Sequence, residues 1–258
     1  MGYKIAIIGG TGLEKLLDIS SRVDIITPYG PSQPIYSAEI GGLSIKFMPR
    51  HGVEHEAAPH RVNYRANIWA LKKVGVKRIL ATNAVGAINP EYAPGDLVVP
   101  NDLIDLTRRR DGTFYDTPPI YHVDASQPYC PELRGCLLKA GGSINRRIWD
   151  KGVYACTEGP RFETPAEIRA IAKLGGDIVG MTGVPEAFLA RELELCYASI
   201  CYVSNMAAGL QKRLTVEEVV KIGEKVSSDV YRLLEEAVKE IPEERSCPCK
   251  SALEGARI

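Results

Sequence analysis

The chain has 258 residues, enough for one large core or two small domains. Its Lys+Arg total of 32 equals its Asp+Glu total of 32, and that balance argues against a nucleic-acid or membrane-surface partner, which needs a basic excess. No apolar run reaches the roughly 18 residues of a membrane span. The opening Met1-Gly-Tyr-Lys-Ile-Ala-Ile-Ile-Gly-Gly10 carries no signal-peptide cleavage site, so a cytoplasmic protein is expected.

Lys4 to Ile8 is a short apolar run, read as a strand buried on both faces. Gly9-Gly10-Thr11-Gly12 follows. Glycines let backbone N–H groups approach an anion and Thr11 adds a hydroxyl, so this is a candidate phosphate loop; a plain strand-end turn is the other reading. It is neither a dinucleotide fingerprint, because Lys15 stands at the third glycine position, nor a Walker loop. A second strand, Leu43 to Met48, ends in Pro49-Arg50-His51-Gly52. Arg50 and His51 are candidate anion ligands, since arginine grips phosphate oxygens bidentately. His55 and His60 lie close by, but no helical metal motif contains them.

Val62 to Val74 reads as a helix and Arg78 to Thr82 as a strand ending in Asn83-Ala84-Val-Gly86-Ala87. Gly95 to Pro100 continues the sheet. Thr107 to Tyr129, with Arg108-Arg109-Arg110 and His122, is a long section without strong periodicity, a kind of loop that tends to be functional or interfacial. Pro131 to Ala140 is a helix. Gly152 to Ala155 is a strand leading into Cys156-Thr-Glu-Gly-Pro-Arg-Phe-Glu-Thr164. There Thr164, Pro165 and Glu167 form a helix start with a capping box. Glu158, Arg161 and Phe162 put an acid, a base and a ring in one turn, read either as a ligand site or as a solvated turn with Glu158 and Arg161 paired across it. A helix over Ala166 to Leu174, a strand over Asp177 to Met181 ending in Thr182, and a helix over Pro185 to Leu195 follow. Cys196 to Val203 is a central strand ending in Ser204-Asn205-Met206-Ala207. Thr215 and Glu218 cap a final helix reaching about Ile241.

Alternating strands and helices, with no low-complexity linker, give one α/β domain with a central, mostly parallel sheet over 1–241 and a tail over 242–258. Polar residues recur at the expected strand ends, where α/β proteins bind ligands. The tail carries Cys247-Pro-Cys249. Metal binding by this pair needs two more ligands, and no second closely spaced pair is visible. The alternative expectation is that Cys130, Cys196, Cys201 and the Cys247/Cys249 pair include disulfide partners.

Taken together, Ile7-Ile-Gly-Gly-Thr-Gly12, Pro49-Arg-His-Gly52, Val62 to Leu71, Thr157-Glu-Gly-Pro-Arg-Phe162, Gly180-Met-Thr-Gly-Val-Pro-Glu186 and Cys196-Tyr-Ala-Ser-Ile200 resemble the purine nucleoside phosphorylase family, in the branch with methylthioadenosine phosphorylases. The resemblance spans the chain to about residue 240. It implies a mixed, partly barrel-like sheet flanked by helices, assembly as homotrimers or homohexamers, and phosphorolysis of a purine nucleoside to free base and ribose 1-phosphate without metal or organic cofactor. By the same resemblance Thr11, Arg50, His51, Asn83, Ala84 and Thr182 hold phosphate. Phe162, Met181, Met206, Ala207 and His122 line the nucleoside, with His122 reaching a neighbouring subunit's ribose 5′ side. Glu163, Asn205 and Ala207 tune specificity, and Asn205 serves the departing base.

Related methylthioadenosine phosphorylases carry Asp at the positions of Asn205 and Ala207. An amide can donate to a 6-oxo group and accept from a protonated N7. The expected substrates are therefore 6-oxopurine nucleosides, inosine and guanosine. S-methyl-5′-thioinosine is the alternative, and 5′-methylthioadenosine stands behind it.

Overall fold

The structure, a computed structural model, describes residues 4–10 and 13–258, with the side chains of residues 14 and 15 outside the description. Thr11 and Gly12 therefore lie outside the described residues. The first half contains β1 (Ile5–Gly9), β2 (Asp18–Val23), β3 (Ile26–Thr27), β4 (Gly30–Pro31), β5 (Ile35–Ile40), β6 (Leu43–Pro49), α1 (Tyr64–Lys73), β7 (Arg78–Ala87), β8 (Leu97–Val98) and β9 (Asp102–Asp105). The second half contains α2 (Pro131–Ser143), β10 (Ile148–Trp149), β11 (Val153–Cys156), α3 (Pro165–Lys173), β12 (Ile178–Gly180), α4 (Val184–Glu192), β13 (Cys196–Met206) and α5 (Val216–Glu240).

Eleven strands form one mixed sheet in the order β10-β8-β13-β7-β1-β6-β5-β2. A branch leaves β7 through β12 to β11 and β9. The inner strands β6, β1, β7 and β13 are parallel. The outer hairpin of β5 with β6, and β2 beyond it, are antiparallel. The mostly parallel expectation thus holds only for the centre. The β2 and β5 strands were missed because their polar residues, such as Ser20, Ser21 and Glu39, hide the alternation.

Alternation along the inner strands builds two cores. Ile7 of β1, Leu80 of β7 and Cys196, Ala198 and Ile200 of β13 face α2 and α5, where Leu133, Leu137, Leu233 and Leu234 are fully buried. Ala6 and Ile8, Ile79 and Ala81, and Tyr197 face α1 and α4. Successive strand side chains point to opposite faces, so one apolar run serves both layers.

The tail beyond α5 packs onto this domain. Glu132 of α2 accepts from the backbone N–H and the hydroxyl of Ser246, at 3.0 and 2.8 Å. Cys247 and Cys249 are buried. Further on, the His122 N–H donates to the Ala256 carbonyl at 2.8 Å and Tyr121 pairs with Arg257. The tail therefore ties the α2 end of the molecule to the loop that carries His122. Among the described residues no helix is long and apolar enough to cross a membrane.

Candidate active site

The site grows from a split in the sheet. On one side β7 is paired with β13 along its whole length. On the other, β1 pairs with residues 78–81 and β12 with residues 86–87. Among the described residues, no strand pairs with residues 82–85 there. Asn83 and Asn205 accordingly sit inside strands that run on to Ala87 and Met206, not at strand ends as the sequence indicates.

Arg50, at the end of β6, fills part of the split. Its Nη1 donates to the Thr82 carbonyl at 2.8 Å, while Nε and Nη2 grip both oxygens of Glu186 at 2.5 and 2.9 Å. Tyr197 Oη donates to the same carboxylate at 2.7 Å. Arg50, Glu186 and Tyr197 are all at least 98% buried. Burial lowers the Arg50 pKa, but the Glu186 charge and hydrogen bonds more than offset it and hold the guanidinium well above its ordinary value. The expected bidentate grip on an anion is thus taken by an internal carboxylate. Three of the five guanidinium N–H donors are used, and one on each Nη remains. Glu186 was not singled out from sequence, although it lies in a matching motif. An acid in the first turn of a helix reads locally as a dipole partner.

The backbone of β7 supplies further donors. Thr82 turns its carbonyl to Arg50, so strand alternation turns the Ala84 N–H toward the same side. The Gly10 N–H donates to Thr82 Oγ1 at 3.2 Å, bringing Gly10 beside this edge. The Asn83 amide is used internally. It donates to Ser199 Oγ at 2.6 Å and accepts from Thr182 Oγ1 at 2.8 Å. Asn83 and Thr182 are therefore brought together as expected, with the Asn83 side chain acting on Thr182.

His51 stacks on His55 with ring centroids 4.5 Å apart. Its Nδ1 lies 2.8 Å from the Ala57 carbonyl, which can only accept, so Nδ1 carries the proton and Nε2 is the free position. Burial first, then the Arg50 charge, pulls its pKa down to about 4. The ring is neutral at pH 7.

The base-side residues gather around β13. A register shift between Val203 and Asn205 makes a bulge at Ser204, which re-aims the chain beyond it. Asn205 is buried; its Oδ1 accepts from Ser204 Oγ at 2.6 Å and its Nδ2 donates to the Met206 carbonyl at 2.9 Å. A Cβ at Gly86 would stand 3.0 Å from that Nδ2, so glycine there leaves room for the amide. The Ala207 N–H donates to Ala87 at 2.8 Å, and the Met206 N–H to Gln211 Oε1 at 2.8 Å. Met181 packs on Gly159, whose φ of +68° and missing Cβ (a Cβ would meet Met181 Sδ at 2.7 Å) make the turn before Phe162 fit.

The expected Glu158–Arg161 pair does not form. Arg161 instead binds both oxygens of Glu167 at 2.8 and 2.7 Å, on the helix that Thr164 and Glu167 cap as expected. Glu158 accepts the N–H groups of Arg108 and Arg109, at 2.6 and 3.2 Å, and Arg110 Nε at 3.2 Å. Arg110 also lies over the Tyr64 ring. The long loop is thereby locked onto the Phe162 turn, a partnership about fifty positions apart that local reading cannot find. Glu163 accepts from Thr157 Oγ1 at 2.5 Å. His122 is exposed on the tail-bound part of the loop.

All seven cysteines are free thiols, so the disulfide expectation is not met in the structure. Cys201 separates from the rest because it lies five positions from Cys196 on an alternating strand. It meets Ser199 instead, at 3.5 Å. Cys130 and Cys196 join Cys247 and Cys249 in one buried group, supplying the second pair that sequence spacing did not show.

The split in the sheet thus lies beside the buried Arg50–Glu186 pair, with Asn83 bonded to Thr182 and Asn205 set against Gly86. A profile described as "Phosphorylase superfamily" matches residues 4–239, and the chain belongs to that family. It is 51% identical, over 99% of both chains, to a probable S-methyl-5′-thioinosine phosphorylase of Methanopyrus kandleri. It is 48% identical, over 98% of both chains, to a 6-oxopurine nucleoside phosphorylase of Pyrococcus furiosus. Among solved structures, a methylthioadenosine phosphorylase from an Antarctic soil metagenomic library superposes with a TM-score of 0.94 at 34% identity, covering all of this chain and 93% of that one.

Two outcomes follow. Glu186→Gln leaves Arg50 buried without its counter-charge, and urea unfolding should show a loss of about 3–5 kcal/mol. His51, neutral when folded, binds a proton readily when unfolded. Its contribution to stability is complete above about pH 6.5 and is lost as pH falls toward about 4. Denaturation across that window should show a slope that His51→Gln reduces; an unchanged slope would remove the assignment.

Proposed function

We propose that the protein cleaves 6-oxopurine nucleosides, inosine and guanosine, with inorganic phosphate, releasing the base and ribose 1-phosphate. The carrying observation is the neutral amide of Asn205, buried beside Gly86. One N–H donates to Met206, leaving the other, and Oδ1 has a second lone pair beyond the Ser204 bond. A free donor and a free acceptor match a 6-oxo group and a protonated N7. A 6-amino base without an N7 proton offers the reverse pattern.

Cleavage of the glycosidic bond builds positive charge on the sugar, and a phosphate held beneath C1′ stabilises and then captures it. The residues proposed to orient that phosphate are Arg50, through its two unused N–H groups, the Ala84 N–H, Thr182, His51 and Thr11. Fixed donors of this kind act by positioning and by charge stabilisation without reorganising during reaction. His51 meets phosphate through Nε2, which in the neutral ring is an acceptor. A hydrogen bond from the protonated oxygen of monohydrogen phosphate satisfies it. Phe162, Met181, Met206 and Ala207 are assigned to base and ribose, Glu163 to specificity, and no organic cofactor is invoked. We place His122 across a subunit boundary in a homotrimer or homohexamer, which agrees with its exposure. A methylthioinosine substrate keeps the same base contacts and differs only at the 5′ pocket; the name of the Methanopyrus relative favours this second reading.

Base release from inosine, guanosine, adenosine, S-methyl-5′-thioinosine and 5′-methylthioadenosine, with and without phosphate, tests both. Phosphate-dependent release should be fastest from the 6-oxo substrates, and release that ignores phosphate would refute phosphorolysis. Asn205→Asp replaces the free donor with an acceptor. It should lower kcat/KM for 6-oxo substrates on the order of 10–100-fold, the cost of a mispaired buried polar contact, while sparing 6-amino ones. Equal losses in both classes would show that Asn205 does not discriminate.

A further inference from the structure

We propose that Cys130, Cys196, Cys247 and Cys249 form a structural tetrathiolate site for one zinc-class divalent cation, clipping the C-terminal tail to the sheet. The four Sγ atoms lie within 4.8 Å of one another, and the Cys196–Cys247 pair is 3.3 Å apart. A tetrahedral zinc with Zn–S bonds of about 2.3 Å sets its sulfurs roughly 3.8 Å apart. The observed spacing brackets that value and is well beyond the ~2.05 Å of a disulfide.

The four thiols come from three separate parts of the fold. Cys130 precedes the first turn of α2, and Cys196 opens β13. Cys247 and Cys249 flank Pro248 at the start of a short 3-10 turn in the tail. All four are at most 5% exposed, set among Leu133, Leu137 and other aliphatic side chains. A single buried thiol behaves as a small apolar side chain. Four that converge on one point from three segments satisfy the ligand count and type of a closed structural site.

A second observation concerns charge. Arg191, only 8% exposed, points Nη1 at Cys249 Sγ from 3.6 Å and gives Nε to the Asp124 carbonyl at 3.2 Å. Arg191 also acts on the exposed Asp124 carboxylate, but four neutral thiols give its Nη1 no charged partner. A divalent ion with four thiolates carries a net charge of −2, and an N–H donor to a ligating sulfur is the outer-shell support that such sites use. On binding, four S–H bonds break, four metal–sulfur bonds form and four protons pass to solvent. No electron is transferred. Pairing into disulfides would instead require an external oxidant.

The clip has a consequence along the chain. Beyond Cys249 the tail pairs with the loop at residues 120–122, where the Ile258 N–H donates to Ile120 at 3.2 Å. Fixing the cysteines shortens the free segment between α5 and that pairing, so the ion also steadies the loop bearing His122.

The test uses the full chain, purified under reductant without chelator or added metal. Elemental analysis should find one zinc per chain, and Co(II) exchanged into it should show the intense sulfur-to-cobalt charge-transfer bands of a tetrathiolate. Cys249→Ser should abolish that spectrum and Cys201→Ser should keep it. Removal of the ion with a strong chelator should lower the thermal midpoint. A wild-type chain without stoichiometric metal overturns the proposal whatever the variants do. Thiol counting in denaturant without reductant then separates two disulfides, read as four missing thiols, from seven free thiols.

Discussion

The buried pair between Arg50 and Glu186 is the contact on which the rest of this structure depends. It joins the end of β6 to the first turn of α4, and through the Thr82 carbonyl and the Tyr197 hydroxyl it also holds β7 and β13. Four elements meet in one set of hydrogen bonds. A buried ion pair is a poor source of net stability, because desolvating two charges offsets most of their attraction. Its value here is geometric. A cation with fixed orientation stands at the split in the sheet, held by a carboxylate that a loop lysine or arginine on the surface would not have.

That split explains why polar groups collect at this place. Where β1 leaves β7 and β12 has not yet joined it, backbone groups of residues 82–85 have no strand to pair with on that side among the described residues. Buried backbone groups must find partners. Arg50 satisfies the Thr82 carbonyl, and the Gly10 N–H reaches the Thr82 hydroxyl. The proposed phosphate site thereby draws on unfinished hydrogen bonding of the sheet itself. The bulge at Ser204 sets Asn205 against Gly86 without a loop, at the position proposed to meet the base.

Beyond this centre, three regions are tied down by partners distant in sequence. Glu158 fastens the long loop through Arg110, Glu132 receives Ser246 of the tail, and the tail's last residues hold the backbone of residues 120–122. The cysteine quartet belongs to the same scheme, since it joins the tail to α2 and β13. Loops that carry functional side chains need such anchors, because their own backbone has few internal hydrogen bonds.

What the sequence determined by itself was local or periodic. Short apolar runs located the inner strands, and Thr164 with Glu167 marked the start of α3 because a capping box involves only four residues. Motif resemblance singled out Arg50, His51, Asn83, Thr182 and Asn205 as candidates, since each sits in a short run whose chemistry is visible in one dimension. Only the tertiary structure decided their partners. Glu186 meets Arg50 across 136 positions, Glu158 takes Arg110 and leaves Arg161 to Glu167, and Cys130 and Cys196 complete a group begun by Cys247 and Cys249. The physical reason is the same in each case. A side chain's type sets what it can bind, but packing of distant strands and helices sets which complementary group arrives within hydrogen-bonding or coordination distance.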